Sequence, residues 1–557
     1  MVLRGTGAVQ PMGDIQDRLR VPAGPCEHFR PAAAGMTRRR VPPAALLALL
    51  ALTSVRLLVA GFAPLSPDEA YYWTWSRALA PGYLDHPPMV ALWIRAGTAL
   101  AGDTRIGVRL LAPLAAALGS ALLWAAAEDI LPGRRAGVVA AALLNATLLL
   151  GVGAVTMTPD TPLLFFWCAA LAALGRLLRT GRGAWWLATG LAAGCALDSK
   201  YTALLLGVGL ALWLLAVPEG RRWLRTPWPW AGGALAGLLF APDLLWNVAH
   251  GWASFGKQGG RTAEWHPTRA LRFEAELLAG QLALATPLVL AACVAGTWRA
   301  AHAWRAPGPA LLAALTLPGA VVFLEHATGD RVQANWPAIL YPAAAIAAGG
   351  LVRRWRPAVA LGLALAIPVY LQAAAAPFPL PRLLDPTLAR LGGWDDLARQ
   401  ASGDATQAGT SGAPDAPARQ DVPDAGEPRV AIPAADAPAA PDGAPPLALA
   451  ADEYGLAAEL AWQAAPAVLG VEPRWAAFDL PRVSLDGRAV LLLRSERRQD
   501  GPDPAVWADA RQVGTLVRAR GGRVAERYRL YRVVGRPGLT GTVLPAPRIA
   551  APRIAAP

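Results

Sequence analysis

Lysine is nearly missing from this chain of 557 residues: Lys200 and Lys257 are the only two, and arginine supplies the rest of its 52 basic residues. Such a bias reflects a GC-rich coding sequence rather than a special ligand. Cysteine is scarce as well. Cys26, Cys168, Cys195 and Cys293 are scattered, and no CxxC pair or Cys/His cluster occurs. That spacing excludes a disulfide framework and a structural zinc site. Charged residues are only 16% of the chain while 54% are hydrophobic, and the mean hydropathy is +0.33. The apolar residues run continuously instead of alternating, which excludes a closed transmembrane barrel. The net charge of +13 raises nucleic acid as a partner. The arginines, however, sit in short clusters between apolar runs, as cytoplasmic anchors of membrane helices do, and no nucleic-acid partner is expected.

Runs of about 20 apolar residues, enough to cross the hydrocarbon core, recur over the first two thirds. Spans are expected near 43–62, 108–131, 136–156, 161–178, 184–197, 202–217, 228–246, 277–297, 309–325, 336–351 and 357–374, about eleven in all. Arg38, Arg39 and Arg40 precede the first span and put the N-terminus in the cytoplasm. Residues 1–42 read as a disordered cytoplasmic leader unlike a signal peptide, with Met36 a second candidate start. By alternation the clusters Arg134–Arg135, Arg176/Arg179/Arg182, Arg221/Arg222/Arg225, Arg299/Arg305 and Arg353/Arg354/Arg356 fall inside. The loops carrying acids and aromatics fall outside, so two patterns agree on one topology.

Composition changes after 375. Residues 376–447 are rich in Ala and Pro and read as a linker, because 401–447 has too little apolar surface to offset the entropy of ordering. Residues 448–536 carry one helical and two strand-like patterns and read as a small α/β domain outside the membrane, able to bind acceptor or glycan. Residues 537–557 end in a repeated Ala-Pro-Arg-Ile-Ala and read as a low-complexity tail. The fold class expected is thus an all-α polytopic membrane bundle over 43–375 with a C-terminal extracytoplasmic α/β domain.

Ionisable groups at a membrane edge are costly and mark function more often than chance. Asp68 and Glu69 follow the first span, and a carboxylate at a lipid–water boundary suits general-base work. The surrounding Tyr71, Tyr72, Trp73 and Trp75 read first as an interfacial aromatic belt. Asn145-Ala146-Thr147 resembles a glycosylation triplet but lies within a span and carries nothing.

Four blocks share the outer face in order: Ser66-Pro67-Asp68-Glu69-Ala70-Tyr71-Tyr72-Trp73, Tyr83-Leu84-Asp85-His86-Pro87-Pro88, Thr158-Pro159-Asp160, and Arg331-Val332-Gln333-Ala334-Asn335-Trp336-Pro337. Together they resemble the bacterial branch of the dolichyl-phosphate-mannose protein mannosyltransferase family, with its aminoarabinose and galacturonic acid transferases acting on lipid A. The resemblance covers roughly 44–375, with a weaker echo at Arg474-Trp475-Ala476-Ala477-Phe478-Asp479-Leu480. It implies a GT-C glycosyltransferase that takes a sugar from a polyprenyl phosphate and gives it to a lipid, glycan or protein acceptor outside the cytoplasmic membrane, usually with inversion. Membrane lipids are implied partners too.

The resemblance further implies Asp68 as the base, with Glu69 and Asp160 orienting the acceptor or holding a metal. Tyr71, Tyr72, Tyr83, His86 and Asn335 belong to the donor and phosphate surroundings. The aminoarabinose transferases carry lysine where this chain has His86, which leaves Lys200, Lys257, Arg261 and Arg331 as further phosphate ligands. Lys200 reads equally as a residue snorkelling from a span end. The sequence demands no cofactor. Asp85 with His250 or His266 offers carboxylate and imidazole to a divalent ion, against the plainer reading of two loop histidines. Asn335-Trp336-Pro337 also fits a helix start. Two other functions share this helix number. A transporter or lipid flippase would show related halves with charges at mid-membrane, and no such repeat is visible. An inactive scaffold would have little use for Asp68, Glu69 and Asp160.

Overall fold

A computed structural model describes residues 41–132, 136–259, 267–350, 355–410, 447–463 and 467–547. The expectations on the leader, on Arg134, Arg135, Arg353 and Arg354, on Arg261 and His266, and on the terminal repeat lie outside these residues.

The structure is mostly helical. Among the described residues six helices are long and apolar enough to cross a membrane: Pro43–Phe62, Arg105–Ile130, Asp160–Thr180, Trp228–Ala249, Pro307–His326 and Arg356–Ala375. Four of the remaining expected spans are shorter apolar helices, Ala136–Asn145, Trp185–Leu197, Tyr201–Ala216 and Trp336–Gly349. The expected span at 277–297 takes a different form. It is a pair of helices, Pro267–Ala285 and Pro287–His302, bent by 105° at one residue. Pro287 has no N–H for the helix ladder and clashes with helical backbone at the residue before it. Thr286 between them has a ψ of 146°, outside the helical region, with a φ of +64°. Small residues let the bundle close. A Cβ on Gly190 would lie 2.1 Å from the carbonyl oxygen of Gly232, so only glycine permits the Trp185–Leu197 and Trp228–Ala249 helices to touch there.

Beyond the bundle lies a seven-stranded mixed sheet, β1 (Leu449–Ala451), β2 (Val468–Gly470), β3 (Arg482–Ser484), β4 (Ala489–Ser495), β5 (Trp507–Arg520), β6 (Arg523–Gly535) and β7 (Thr540–Val543), in the order β3-β7-β2-β1-β4-β6-β5. β1 pairs in parallel with β2 and β4 in fixed register, Ala450 opposite Leu469 and Leu492. These central strands are buried throughout, as parallel strands are. β7 joins β2 and β3 antiparallel, so the sheet takes in residues 540–543 that the sequence reading gave to the tail. Its two glycine-flanking threonines and single valine carry no alternation strong enough to read as a strand.

Part of the expected linker is helical. Asp385 caps the Pro386–Leu391 helix by accepting from the Thr387 and Leu388 amides. In the Trp394–Thr410 helix, Trp394, Leu397, Ala398, Ala401 and Ala405 are buried at helical spacing. That face is mostly alanine, which a composition reading counts as linker. The rest, 411–446, lies outside the described residues.

One apolar core joins sheet domain and bundle. Tyr71, Trp73 and Trp75 of the Pro67–Arg77 helix pack in the same cluster as Leu456, Leu460 and Trp462 of the Tyr454–Trp462 helix and Trp475 and Phe478 beyond it.

Candidate active site

The Pro67–Arg77 helix starts with a capping box. Ser66 accepts from the Glu69 amide, Glu69 accepts from the Ser66 amide at 3.0 Å, and Pro67 takes the first turn where no N–H is needed. This fixes two adjacent acids facing different surroundings. Glu69 is wholly buried. Its oxygens take Arg109 Nε and Nη2 at 2.6 Å each and the Met157 amide at 3.0 Å. Arg109 also donates to the carbonyls of Ala60, Ala63 and Pro64. Glu69 is therefore filled, and its contacts tie the first block to the segment leading into Thr158-Pro159-Asp160. The expected roles of orienting acceptor or holding a metal have no free oxygen to act through.

Asp68 turns the other way. Its side chain is 35% exposed, accepts the Tyr454 hydroxyl at 2.9 Å, and has Arg390 at 3.5 Å. Asp160 opens the Asp160–Thr180 helix and accepts Lys200 Nζ at 2.7 Å and Asn335 Nδ2 at 2.6 Å. Lys200 lies over the Trp336 ring, 5.9 Å from its centroid. Asp68, Asp160, Asn335 and Arg390 line one cavity of about 450 Å³, whose walls are otherwise largely apolar, among them Val59, Ala116, Leu148 and Phe165. Three of the four sequence blocks thus meet at one cavity.

The Asp85 block does something else. Asp85 accepts from Lys257, from Arg474 at 3.1 Å and from the Tyr71 hydroxyl at 2.8 Å. Burial alone raises its carboxyl, but Lys257 and Arg474 hold it below the usual range. Burial raises the Tyr71 hydroxyl, with the Asp85 charge adding to it. Lys257 is thereby spent on Asp85 and does not stand free for a phosphate. The metal reading fares no better: His250 stacks on Trp246 with ring centroids 4.0 Å apart and points Nδ1 at the Trp246 carbonyl. Among the described residues no group of three metal-ligating side chains exists.

His86 is pushed down to about 4 by burial and then by the Lys200 charge, and among the described residues its buried Nδ1 has no hydrogen-bond partner. It is neutral at neutral pH and cannot anchor a phosphate as a cation. Tyr83 fastens its own loop, donating to the carbonyls of Trp75 and Ala78 and stacking on Trp75. Tyr72 is buried edge-on to Trp75. Arg331 is exposed and paired with Glu276 at 2.6 Å, outside the cavity lining.

Four residues escaped the sequence reading. Arg109 had a signal, being a charge at the head of an apolar run. Arg474 stood in a recognised echo without an assigned role. Tyr454 and Arg390 carried no signal.

The helical bundle with its long apolar helices and carboxylate-lined apolar cavity is that of a multi-pass membrane protein. Residues 85–246 match the family described as dolichyl-phosphate-mannose-protein mannosyltransferase. The lipid A galacturonosyltransferase RgtD of Rhizobium johnstonii is 30% identical over 380 residues, 66% of this chain and 79% of that protein. The crystal structure of ArnT from Cupriavidus metallidurans bound to undecaprenyl phosphate superposes with a TM-score of 0.57 at 15% identity, covering 88% of this chain and 98% of that one. Its apo state gives 0.54 at 16%. The chain belongs to the bacterial GT-C glycosyltransferase family.

Proposed function

We propose that this protein moves a sugar from a polyprenyl-phosphate donor to a lipid acceptor at the outer face of the cytoplasmic membrane, with Asp68 as general base. One observation carries the reading: Asp68 and Asp160 share the wall of a single apolar cavity. The apolar wall suits a prenyl chain, and the polar rim suits its phosphate and sugar. RgtD and ArnT, the former a lipid A galacturonosyltransferase and the latter seen with undecaprenyl phosphate, support the same donor and acceptor classes.

The chemistry is a displacement at the anomeric carbon. The acceptor hydroxyl gives its proton to Asp68 as its oxygen attacks. The anomeric C–O bond breaks, and its electron pair leaves with the polyprenyl phosphate. The phosphate gains negative charge as it departs, which Arg390 in the cavity wall stabilises, with the charge of Lys200 behind Asp160 adding to it. Asp160 and Asn335 orient Lys200 toward it. Direct attack inverts the anomeric configuration.

The orientation follows from one helix. Asp160 opens it and Arg179 lies in its last turn, and the helix of 21 residues is about 30 Å long. With arginines inside, the Asp160 end and the sheet domain face outward and the N-terminus lies in the cytoplasm.

The test is transfer by the purified protein in lipid vesicles supplied with polyprenyl-phosphate sugars and lipid A. The expected result is glycosylated lipid A with one free polyprenyl phosphate per transfer. Unmodified lipid A with intact donor across the sugar panel overturns the reading.

A further inference from the structure

We infer that Tyr454, supplied by the C-terminal domain, is a positioning residue of the active site: its hydroxyl fixes the Asp68 carboxylate through Oδ1, so that Oδ2, which has Arg390 at 3.5 Å, is the oxygen that takes the acceptor's proton. The inference rests on the reading of Asp68 as base.

The contact spans 386 residues of sequence and is built rather than incidental. The Tyr454–Trp462 helix sits on the first turn of the helix that carries Asp68. A Cβ on Gly455 would lie 2.8 Å from Pro67 Cβ, so glycine beside Tyr454 lets the two helices meet at that turn. At the other end Trp462 meets Trp73 edge-on at 5.0 Å. The Tyr454 ring is clamped between the Tyr71 ring, 4.6 Å away, and the Arg474 guanidinium, 4.1 Å from its centroid. Arg474 is itself held by Asp85 and Glu472. The hydroxyl therefore has one place to point, and there it donates to Asp68 Oδ1 at 2.9 Å.

Burial, with the Asp68 charge, raises the Tyr454 hydroxyl above the usual tyrosine range. It stays protonated and can only donate to an ionised Asp68. The hydrogen bond to Oδ1 fixes the carboxylate and leaves Oδ2, beside Arg390 at 3.5 Å, to accept the proton. This also gives Asp85, Lys257 and Arg474 a role away from the substrate: they lock the ring that locks the base.

The experiment compares wild type with Tyr454→Phe by steady-state transfer, beside Trp462→Leu as a docking control and Asp68→Asn as a control on the base. Expected is a kcat about tenfold lower in Tyr454→Phe with little change in KM for either substrate, while Trp462→Leu, which loosens the same interface, keeps kcat near wild type. Overturning results are these: Tyr454→Phe keeps wild-type kcat while Asp68→Asn is inactive, which leaves Asp68 as base and removes Tyr454; or Asp68→Asn keeps wild-type transfer, which removes both. A kcat loss of equal size in Trp462→Leu also overturns the inference, since docking rather than the hydroxyl would then set it.

Discussion

Arg109 meets Glu69 through two parallel hydrogen bonds of 2.6 Å, with side chains 1% and 0% exposed. Two acids adjacent in sequence are thereby divided, one fastening the bundle and one facing the cavity. Breaking a buried pair leaves an uncompensated charge, at a cost of about 3–5 kcal/mol. Glu69→Ala or Arg109→Ala is expected to lower the unfolding temperature sharply in detergent, and the double replacement to cost less than the two singles added. Additive losses would show that the two groups do not act as a pair.

Lys200 is a buried cation held at 2.7 Å by Asp160, which lines the cavity. If it meets the departing phosphate, Lys200→Gln lowers kcat by about a hundredfold, the size of losing one preorganised donor, while folding is retained. Single-turnover transfer measures this. A kcat within twofold of wild type would assign the leaving group to Arg390 or another cation.

His86 offers a pH test. Its folded value is about 4 against an ordinary 6.5, so the unfolded chain binds more protons between those values. Its contribution to stability is full above pH 6.5 and is lost as pH falls toward 4. His86→Gln is expected to flatten the fall in melting temperature over that range and to leave donor KM at pH 7 unchanged. An unchanged slope contradicts the neutral, buried assignment.

Glu459 shows the opposite sign. It is fully buried on the Tyr454–Trp462 helix, and burial, aided by the Glu69 charge, raises it well above the usual range. Its contribution to stability is present below the unfolded value of about 4.3 and is lost as pH rises through the folded one. Glu459→Gln is expected to raise the melting temperature at pH 8 and to change it little at pH 4.5. Equal effects at both values would show that protonation plays no part.

The bundle was legible because a membrane demands long apolar runs, and the arginine clusters gave those runs a direction. The cavity's Asp68, Asp160 and Asn335 were legible because short blocks hold them. Other features were hidden for physical reasons. The break at Thr286–Pro287 looks like one span because the apolar run continues through it. The helix at 394–410 buries mostly alanine, which composition does not distinguish from a linker. Glu69 looks like a second catalytic acid until Arg109, 40 residues away, is seen to occupy it. The partners of Asp68 come from residues 390 and 454, and no local pattern announces contacts of that separation.

The central claim, that Asp68 takes the acceptor's proton, is tested most directly by single-turnover transfer from a polyprenyl-phosphate sugar to lipid A in Asp68→Asn, with the melting temperature checked against wild type. The account predicts a well-folded variant whose transfer is slower by at least about a hundredfold, the usual contribution of a general base. Transfer at the wild-type rate would contradict it and move the base to Asp160.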